Sequence, residues 1–480
     1  MADFGPSQGL RERFEARGQG HCFKYVNALS PEEAAAYIDS LEALDLDRCL
    51  EIYSSALASE TAASEVLTIE PLSASDTIDG ASLAEIEGWR SAGLELVAQG
   101  RVAALILAGG QGTRLGFDGP KGLYDIGLPS KKPLFQLNCD KIRRLGELSG
   151  GSVPLVVMTS DGNAAETRRA FEAAAFYGLG AEDVFFFSQG ALPAFTPDGK
   201  LLLASGGALS FSPDGNGGVY RALAESGTLA ALAGRGVDYV HVVSVDNALC
   251  KPCDPVFVGY CAAKKVDVAS KAVWKASPSE KVGVLCTRRG RPGVVEYSEL
   301  PQALAELVDA RTGRLVYGAG NVCNHLLSTS FLARAAEAPP DVLPFHVARK
   351  AVAEASPNDP RGRAAAAPDE PNAVKLEAFI FDAFALADDQ AALGVDRASE
   401  FAAVKNAPGS ATDSPEAART AMLQLGAQWL RDAGAIVLGD CGAEVSGRAS
   451  YAGEGLEDVA KGKTFDATTA PCLVDHDHDD

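Results

Sequence analysis

The chain has 480 residues, a formal net charge of −21, and 47% hydrophobic against 22% charged residues. That length implies about two to four structural units, in a composition ordinary for a soluble globular protein. The acidic balance argues against nucleic acid or an anionic membrane as a partner, because either needs a broad basic face.

The opening MADFGPSQGLRERFEARG carries charges throughout and has no apolar core of a signal peptide. No uninterrupted apolar run reaches the ~18 residues of a membrane span. Ten cysteines are scattered from Cys22 to Cys472 without the spacing of a disulfide scaffold. These features point to reduced thiols and a cytoplasmic location. Cys250-Lys-Pro-Cys253 is a lone C-x-x-C, and without a second pair it reads as packing rather than as a metal or redox site.

In chain order, Ser30-Pro31-Glu32-Glu33 is a helix start, with Tyr37, Ile38, Leu41 and Leu44 on one face. A second helix is expected over Ser82 to Ala98, closing a helical N-terminal part. An apolar strand, Val102 to Leu107, then opens the stretch LILAGGQGTRLGFDGPKGLYDIGLPS at Leu105–Ser130. A buried strand feeding a glycine-rich, cationic loop brings backbone N–H groups up to phosphate oxygens. Two common phosphate motifs fail here. Lys121 is followed by Gly122 rather than Ser or Thr, and Gly110, Gly112 and Gly116 are spaced one residue too far for a dinucleotide fingerprint. What remains is Arg114, a planar fork, and Lys121, a point charge, suited to a triphosphate that leaves as pyrophosphate.

Strand and helix then alternate. Val153–Met158 is an apolar run, and Asn163 with Glu166 predicts a capped helix to about Tyr177. Strands follow at Val184–Phe187, ahead of Gln189, and at Val237–Val245, ahead of Asp246 and Asn247. The pattern predicts an α/β fold with a mostly parallel, doubly covered sheet. Ligands of such sheets sit at the carboxyl ends of strands, so Gly109–Gly116, Gln189 and Asp246 are expected to converge. Asp246 reads equally as a Mg²⁺ ligand or as a cap of the following turn. Asp214-Gly215-Asn216-Gly217-Gly218 signals a hairpin. Shorter extended pieces at Val282–Cys286, Val294–Tyr297 and Leu315–Tyr317 predict an antiparallel region. Ala364–Pro371 reads as a loop, Ala378–Phe384 as a buried strand or helix, and Pro415–Ala433 as a helix; the terminal DHDHDD reads as solvated.

Leu107–Ser130 resembles the signature of the eukaryotic-type UDP-N-acetylhexosamine pyrophosphorylases. The resemblance continues, in order, through FFFSQGALPAF (Phe185–Phe195), PDGNGGVYRAL (Pro213–Leu223), HVVSVDN (His241–Asn247), GVVEYSEL (Gly293–Leu300) and GAGNVCNH (Gly318–His325). It runs on through PNAVKLEAFIFD (Pro371–Asp382), FAAVKNA (Phe401–Ala407) and SYAGEGLE (Ser450–Glu457). The segment Ala443–Ala449 is shorter and less proline-rich than the family's C-terminal loop.

The resemblance implies a Rossmann-like, GT-A-like nucleotide-diphospho-sugar transferase domain at 96–385. A helical N-terminal part at 1–95 and a small C-terminal domain at 386–480 would flank it. It implies uridylyl transfer from UTP to N-acetylglucosamine 1-phosphate, assisted by Mg²⁺ or Mn²⁺, in a monomer or weak homodimer. Leu107, Ala108, Gly109 and Gly110 would bind the nucleotide, Gln189 and Gly215 the uracil, and Arg114 and Lys121 the triphosphate. Asn216, Glu296 and Asn321 would bind the sugar. Asp246 would face phosphates and metal, and Lys375 and Lys405 would neutralise phosphate charge. Another N-acetylhexosamine 1-phosphate such as the galactosamine form, glucose 1-phosphate, and a non-catalytic nucleotide-sugar sensor stay open as alternatives.

Overall fold

The computed structural model describes residues 5–62, 68–72, 78–339, 342–466 and 472–474. The terminal DHDHDD lies outside the described residues. The chain gathers into two compact units, each assembled from separated stretches. One contains residues 1–67, 189–218 and 338–382; the other contains 68–188, 219–337 and 383–480.

The larger unit is built on a ten-stranded sheet among the described residues. In chain order its strands are β1 (Ile69–Pro71), β2 (Val102–Leu107), β3 (Leu155–Thr159), β4 (Val184–Ser188) and β5 (Tyr239–Ser244). Then come β6 (Val268–Trp274), β7 (Val284–Arg288), β8 (Arg291–Val295), β9 (Ala319–Ser328) and β10 (Gln390–Val395). The main path is β1-β7-β9-β5-β2-β3-β4, with β6 on β9, β10 beyond β6, and β8 on β7. VAALIL of β2 is buried at every position, as a central parallel strand covered on both faces requires. It pairs in parallel with β3 (Leu107↔Met158) and with β5 (Leu107↔Ser244). The chain winds outward through β3 and β4, then returns to the other side of β2 as β5. That reversal puts a topological switch point at the carboxyl ends of β2 and β5, where open α/β sheets bind ligands.

The antiparallel region is present, with β9 antiparallel to β5, β6 and β7. Its extended pieces differ in detail. Leu315–Tyr317 is not a strand: Leu315 makes a single bridge with Val308 that does not extend, and β9 begins only at Ala319. The helix after Asn163 spans Ala164–Ala173 and stops short of Tyr177, since Ala175, Phe176 and Tyr177 all take positive φ. Ser82 and Glu85 form a capping box on helix Leu83–Ala98. That helix crosses Pro255–Lys264 very closely: a Cβ at Gly93 would lie 1.9 Å from the Pro255 carbonyl oxygen, and one at Gly259 1.8 Å from that of Trp89.

In the smaller unit the Ser30–Glu33 capping box opens helix Pro31–Ala43 as expected. The N-terminal helices share a core with later segments: Phe14, Tyr37, Leu41 and Tyr53 pack with Phe195 and Leu376. Ala378–Phe384 resolves into a 3₁₀ turn, Ile380–Leu386. Asp214–Gly218 does not form the expected hairpin. It is a turn running into a 3₁₀ segment, Asn216–Gly218, because its backbone pairs with Ala378 instead of with a returning strand: Ala378 N–H donates to Asp214 O (2.7 Å) and Gly217 N–H to Ala378 O (2.9 Å).

Candidate active site

The glycine loop leaves β2 and folds back on itself. Lys121 N–H donates to Gly110 O (3.1 Å) and Gly112 N–H to Gly119 O (2.9 Å), so Gln111 and Pro120 pair as a bridge. A 3₁₀ turn, Thr113–Leu115, ends on Gly116 at φ 69°. From behind, Ser160 Oγ donates to Gly109 O (2.8 Å), and Asn163 Nδ2 donates to Ala108 O (2.9 Å) and Gly110 O (3.3 Å). The carbonyls of Ala108, Gly109 and Gly110 are therefore all bonded inward, while the N–H groups of Gly109 and Gly110 have no acceptor among the described residues. A row of N–H groups left open in this way suits an anion. Asn163 makes no side-chain cap of its helix. Its amide is spent on the loop, with Oδ1 accepting from Ser160 N–H (2.9 Å). Sequence reasoning missed this role; the only signal was an Asn three residues past Ser160, just beyond the strand next to the glycine loop.

Lys121 and Asp246 meet across the switch point. Lys121 Nζ lies 3.5 Å from Asp246 Oδ2, with side-chain exposures of 18% and 12%. Asp246 follows β5, and Ser244 Oγ donates to its other oxygen (2.8 Å). Arg114 is exposed on the 3₁₀ turn of the loop. Residues 402–404 run antiparallel against 246–248: Val404 N–H donates to Asp246 O (2.9 Å), Ala248 N–H to Ala402 O (3.0 Å), and Asn247 pairs with Ala403. This strap delivers Lys405, whose ammonium rests over the Phe401 ring at 5.9 Å. The Cys323 thiol senses both charges. Burial pushes it up to about 12, Asp246 adds to the shift and Lys405 opposes it.

Cys323 has φ 53°, at the point where β9 changes its partner from β7 (Gly320↔Val284) to β5 (Asn324↔Val243). Just before it, Asn321 Oδ1 accepts from Cys323 N–H (3.0 Å) and Asn321 N–H donates to Gly283 O (2.8 Å). Gly283 also carries Glu296 against it, since a Cβ there would stand 2.8 Å from Glu296 Oε1. The structure thus gathers Glu296 and Asn321 around one glycine.

The smaller unit holds Gln189, Gly215, Asn216 and Lys375. Gln189 is buried, and next to it Gly190 O accepts from Asp214 N–H (3.0 Å). Gly215 has φ +90°, and a Cβ on it would lie 2.2 Å from Ala378 O, so only glycine fits this turn. Asn216 Oδ1 accepts from Ile380 N–H (3.0 Å). Lys375 sits on strand Ala373–Glu377, half-buried, opposite Ala348.

The loop carrying Asp246 is braced inside the larger unit. Buried Lys141 donates to Cys250 O (2.6 Å) and Ala248 O (3.4 Å), and desolvation lowers it to about 8. Tyr451 OH donates to Pro252 O (3.0 Å). Glu444, in the unusual segment before Ser450, accepts from the N–H (2.9 Å) and hydroxyl (2.5 Å) of Ser130. Cys250 and Cys253 are buried free thiols in this core, and burial pushes Cys250 up to about 12.

A family model described as UTP–glucose-1-phosphate uridylyltransferase matches residues 46–412. The chain is 40% identical over 472 residues to the UDP-N-acetylglucosamine pyrophosphorylase of Saccharomyces cerevisiae, covering 95% of this chain and 98% of that one. It is 39% identical over 489 residues to UDP-N-acetylglucosamine diphosphorylase 1 of Arabidopsis thaliana, covering 98% and 93%. Among solved structures it is similar to the UDP-N-acetylglucosamine pyrophosphorylase of Trypanosoma brucei in complex with an inhibitor, with a TM-score of 0.81 and 30% identity over 96% of this chain and 95% of that one. UDP-glucose pyrophosphorylases of Leishmania major share the fold at lower similarity, for example 20% identity and a TM-score of 0.57. The chain belongs to the UTP–glucose-1-phosphate uridylyltransferase family and, within it, to the eukaryotic-type UDP-N-acetylglucosamine pyrophosphorylases.

Proposed function

We propose that this protein joins UTP and N-acetylglucosamine 1-phosphate into UDP-N-acetylglucosamine, releasing pyrophosphate. The observation that carries the reading is the switch point itself. Open glycine N–H groups, Lys121 and Asp246 stand together at the carboxyl ends of β2 and β5.

Leu107 to Gly110 support the nucleotide, Gln189 and Gly215 read the uracil, and Arg114 and Lys121 hold the triphosphate. Asn216, Glu296 and Asn321 bind the sugar, with Lys375 and Lys405 on the phosphates. An oxygen of the sugar phosphate attacks the α-phosphorus in line, a P–O bond forms, and the bond to the β-phosphate oxygen breaks. A phosphate monoester is already a nucleophile at neutral pH, so no general base is required. The chain's contribution is positioning and the stabilisation of charge on the departing pyrophosphate by Arg114, Lys121 and Lys405.

A divalent ion, Mg²⁺ or Mn²⁺, fits Asp246. Among the described residues no group of three or more His, Cys, Asp or Glu could cage a metal. A hard ion held by one carboxylate and completed by substrate phosphates and water needs no cage. When bound, it supplies further neutralisation of triphosphate charge. Reduced, buried thiols suit a cytoplasmic enzyme, and we propose a monomer or weak homodimer.

The test is pyrophosphate release with UTP and a panel of sugar 1-phosphates, with and without Mg²⁺. Release is expected with N-acetylglucosamine 1-phosphate. No release with any sugar would sink the enzyme reading, and release with glucose 1-phosphate alone would sink the N-acetyl assignment.

A further inference from the structure

Lys271 stands in the middle of β6, where the register against β9 slips between Ser270 and Ala272, and its side chain is 1% exposed. Its ammonium donates to Asp254 Oδ2 (2.6 Å) and Glu400 Oε2 (2.9 Å), with the Phe257 ring 5.7 Å away. Glu400 is also buried, and its second oxygen accepts from Lys251 Nζ (2.9 Å). Two cations and two carboxylates thus form a neutral chain, Lys251–Glu400–Lys271–Asp254, mostly buried, with Lys251 at its partly exposed end. Asp254 caps helix Pro255–Lys264 through Val256 N–H (3.0 Å). Its carboxyl is held down to about 2: burial pushes the other way, and Lys271 and Lys251 outweigh it.

Such a buried cluster is a poor source of net stability, because desolvating the ions offsets most of their attraction. Its location is more informative. Glu400 is the last residue of the short helix Arg397–Glu400, and the strap to Lys405 starts from it. Its carbonyl accepts from Asn247 Nδ2 (2.8 Å), and Asn247 Oδ1 accepts in turn from Leu249 N–H (3.2 Å) and Ala402 N–H (3.0 Å). Asp246 and Lys405 lie at the open end of this ladder, and Lys251, Asp254, Lys271 and Glu400 lock its closed end.

We infer that the Lys251–Glu400–Lys271–Asp254 chain of ion pairs is a positioning device that sets Lys405 relative to Asp246, so that its groups act on turnover through Lys405 without touching substrate. The inference rests on the phosphate role proposed for Lys405. A packing role alone would lower stability and leave the chemistry of Lys405 unaffected; a positioning role makes the two sites energetically coupled.

A double-mutant cycle separates them, because residues that act as a unit give non-additive effects. Glu400→Gln keeps size and backbone contacts while removing one charge from the cluster. Full-length wild type, Glu400→Gln, Lys405→Ala and the double variant are compared by pyrophosphate release at saturating UTP and sugar phosphate. The expected result is a kcat loss of about tenfold or more for Glu400→Gln with a UTP KM shift under about threefold, and under about twofold further loss when Lys405 is already Ala. Glu400→Asp, which restores the charge, should recover part of the loss. Equal losses in both backgrounds, or wild-type turnover in Glu400→Gln, would overturn the inference. If Glu400→Gln fails to fold, Lys251→Gln, at the partly exposed end, replaces it in the same cycle with the same criterion. Should wild type release no pyrophosphate, the proposed function fails; an active wild type with an additive cycle refutes only the positioning role.

Discussion

Removing the Asn163 side chain isolates what holds the glycine loop. In Asn163→Ala, Ala108 O and Ser160 N–H lose their partners, whereas Gly110 O keeps Lys121 N–H. Asn163 is only 1% exposed, so water replaces these bonds poorly. At about 1–3 kcal/mol for each of the two orphaned buried groups, the variant should lose roughly 2–6 kcal/mol. The loop carries the open N–H groups of Gly109 and Gly110, so the effect should also reach UTP. A misplacement on the ångström scale costs about a hundredfold, so a ten- to hundredfold drop in kcat/KM for UTP is expected. Urea denaturation followed by tryptophan fluorescence reads the first quantity, and pyrophosphate release with UTP varied at saturating sugar phosphate reads the second. Asn163→Asp should be worse than Ala for UTP, since it retains the acceptor for Ser160 but turns a carboxylate toward two carbonyl oxygens. A destabilised Asn163→Ala with unchanged UTP kinetics would refute the link between these bonds and the nucleotide.

Further outcomes follow from the same geometry. Lys121→Ala should cost about a hundredfold in kcat, the scale of one transition-state charge contact, and an unimpaired variant would show that the triphosphate lies elsewhere. Gly215→Ala combines φ +90° with a clash against Ala378 O, so UTP binding measured by calorimetry should weaken about tenfold or more; unchanged affinity would remove Gly215 from the uracil site. Acid should destabilise the fold through His241 and His325, which burial lowers to about 4 and about 3. Both stay neutral when folded, so their penalty is absent above the unfolded value near 6.5 and grows as pH falls through it, reaching about 2 kcal/mol each at pH 5. Asp254, lowered to about 2, still contributes fully at pH 5. Urea midpoints from pH 7.5 to 5 test this, and a flat profile would contradict the neutral, buried assignment.

Much of the framework was legible because it rests on local rules. The box at Ser30–Glu33, the helix expected over Ser82 to Ala98 and the apolar run Val102–Leu107 appear where their patterns put them. What escaped depends on distant partners. Asn163 looked like a cap because Asn three residues before Glu is a cap signal; the loop carbonyls compete for the same amide and win. Asp214–Gly218 looked like a hairpin, and only the arrival of Ala378 from more than a hundred and fifty residues later along the chain makes it a turn of another kind. The pairing of Glu296 with Asn321 through Gly283, and the strap that carries Lys405, were unreadable without the sheet. The roles of these residues came from resemblance to a family, not from spacing.

The hydrogen bonds around Asp246 divide between a braced back and an open face. Helix Leu134–Ser149 reaches the Asp246 loop through Lys141, Tyr451 reaches it through Pro252, and Glu400 reaches it through Asn247. Each of these contacts ends on a backbone carbonyl or is made by one, so each fixes backbone position and adds no charge at the open face. On that face the arrangement is reversed: among the described residues the Gly109 and Gly110 N–H groups are unpaired, and Lys121 makes a 3.5 Å contact with the largely buried Asp246. At that length the contact is longer than the about 2.7–2.9 Å of a strong charged hydrogen bond, so Lys121 can exchange it for phosphate. Rigid support behind and exchangeable partners in front are what catalysis by positioning and preorganised charge requires. This local cationic face is also how a chain of net charge −21 can hold a polyanion.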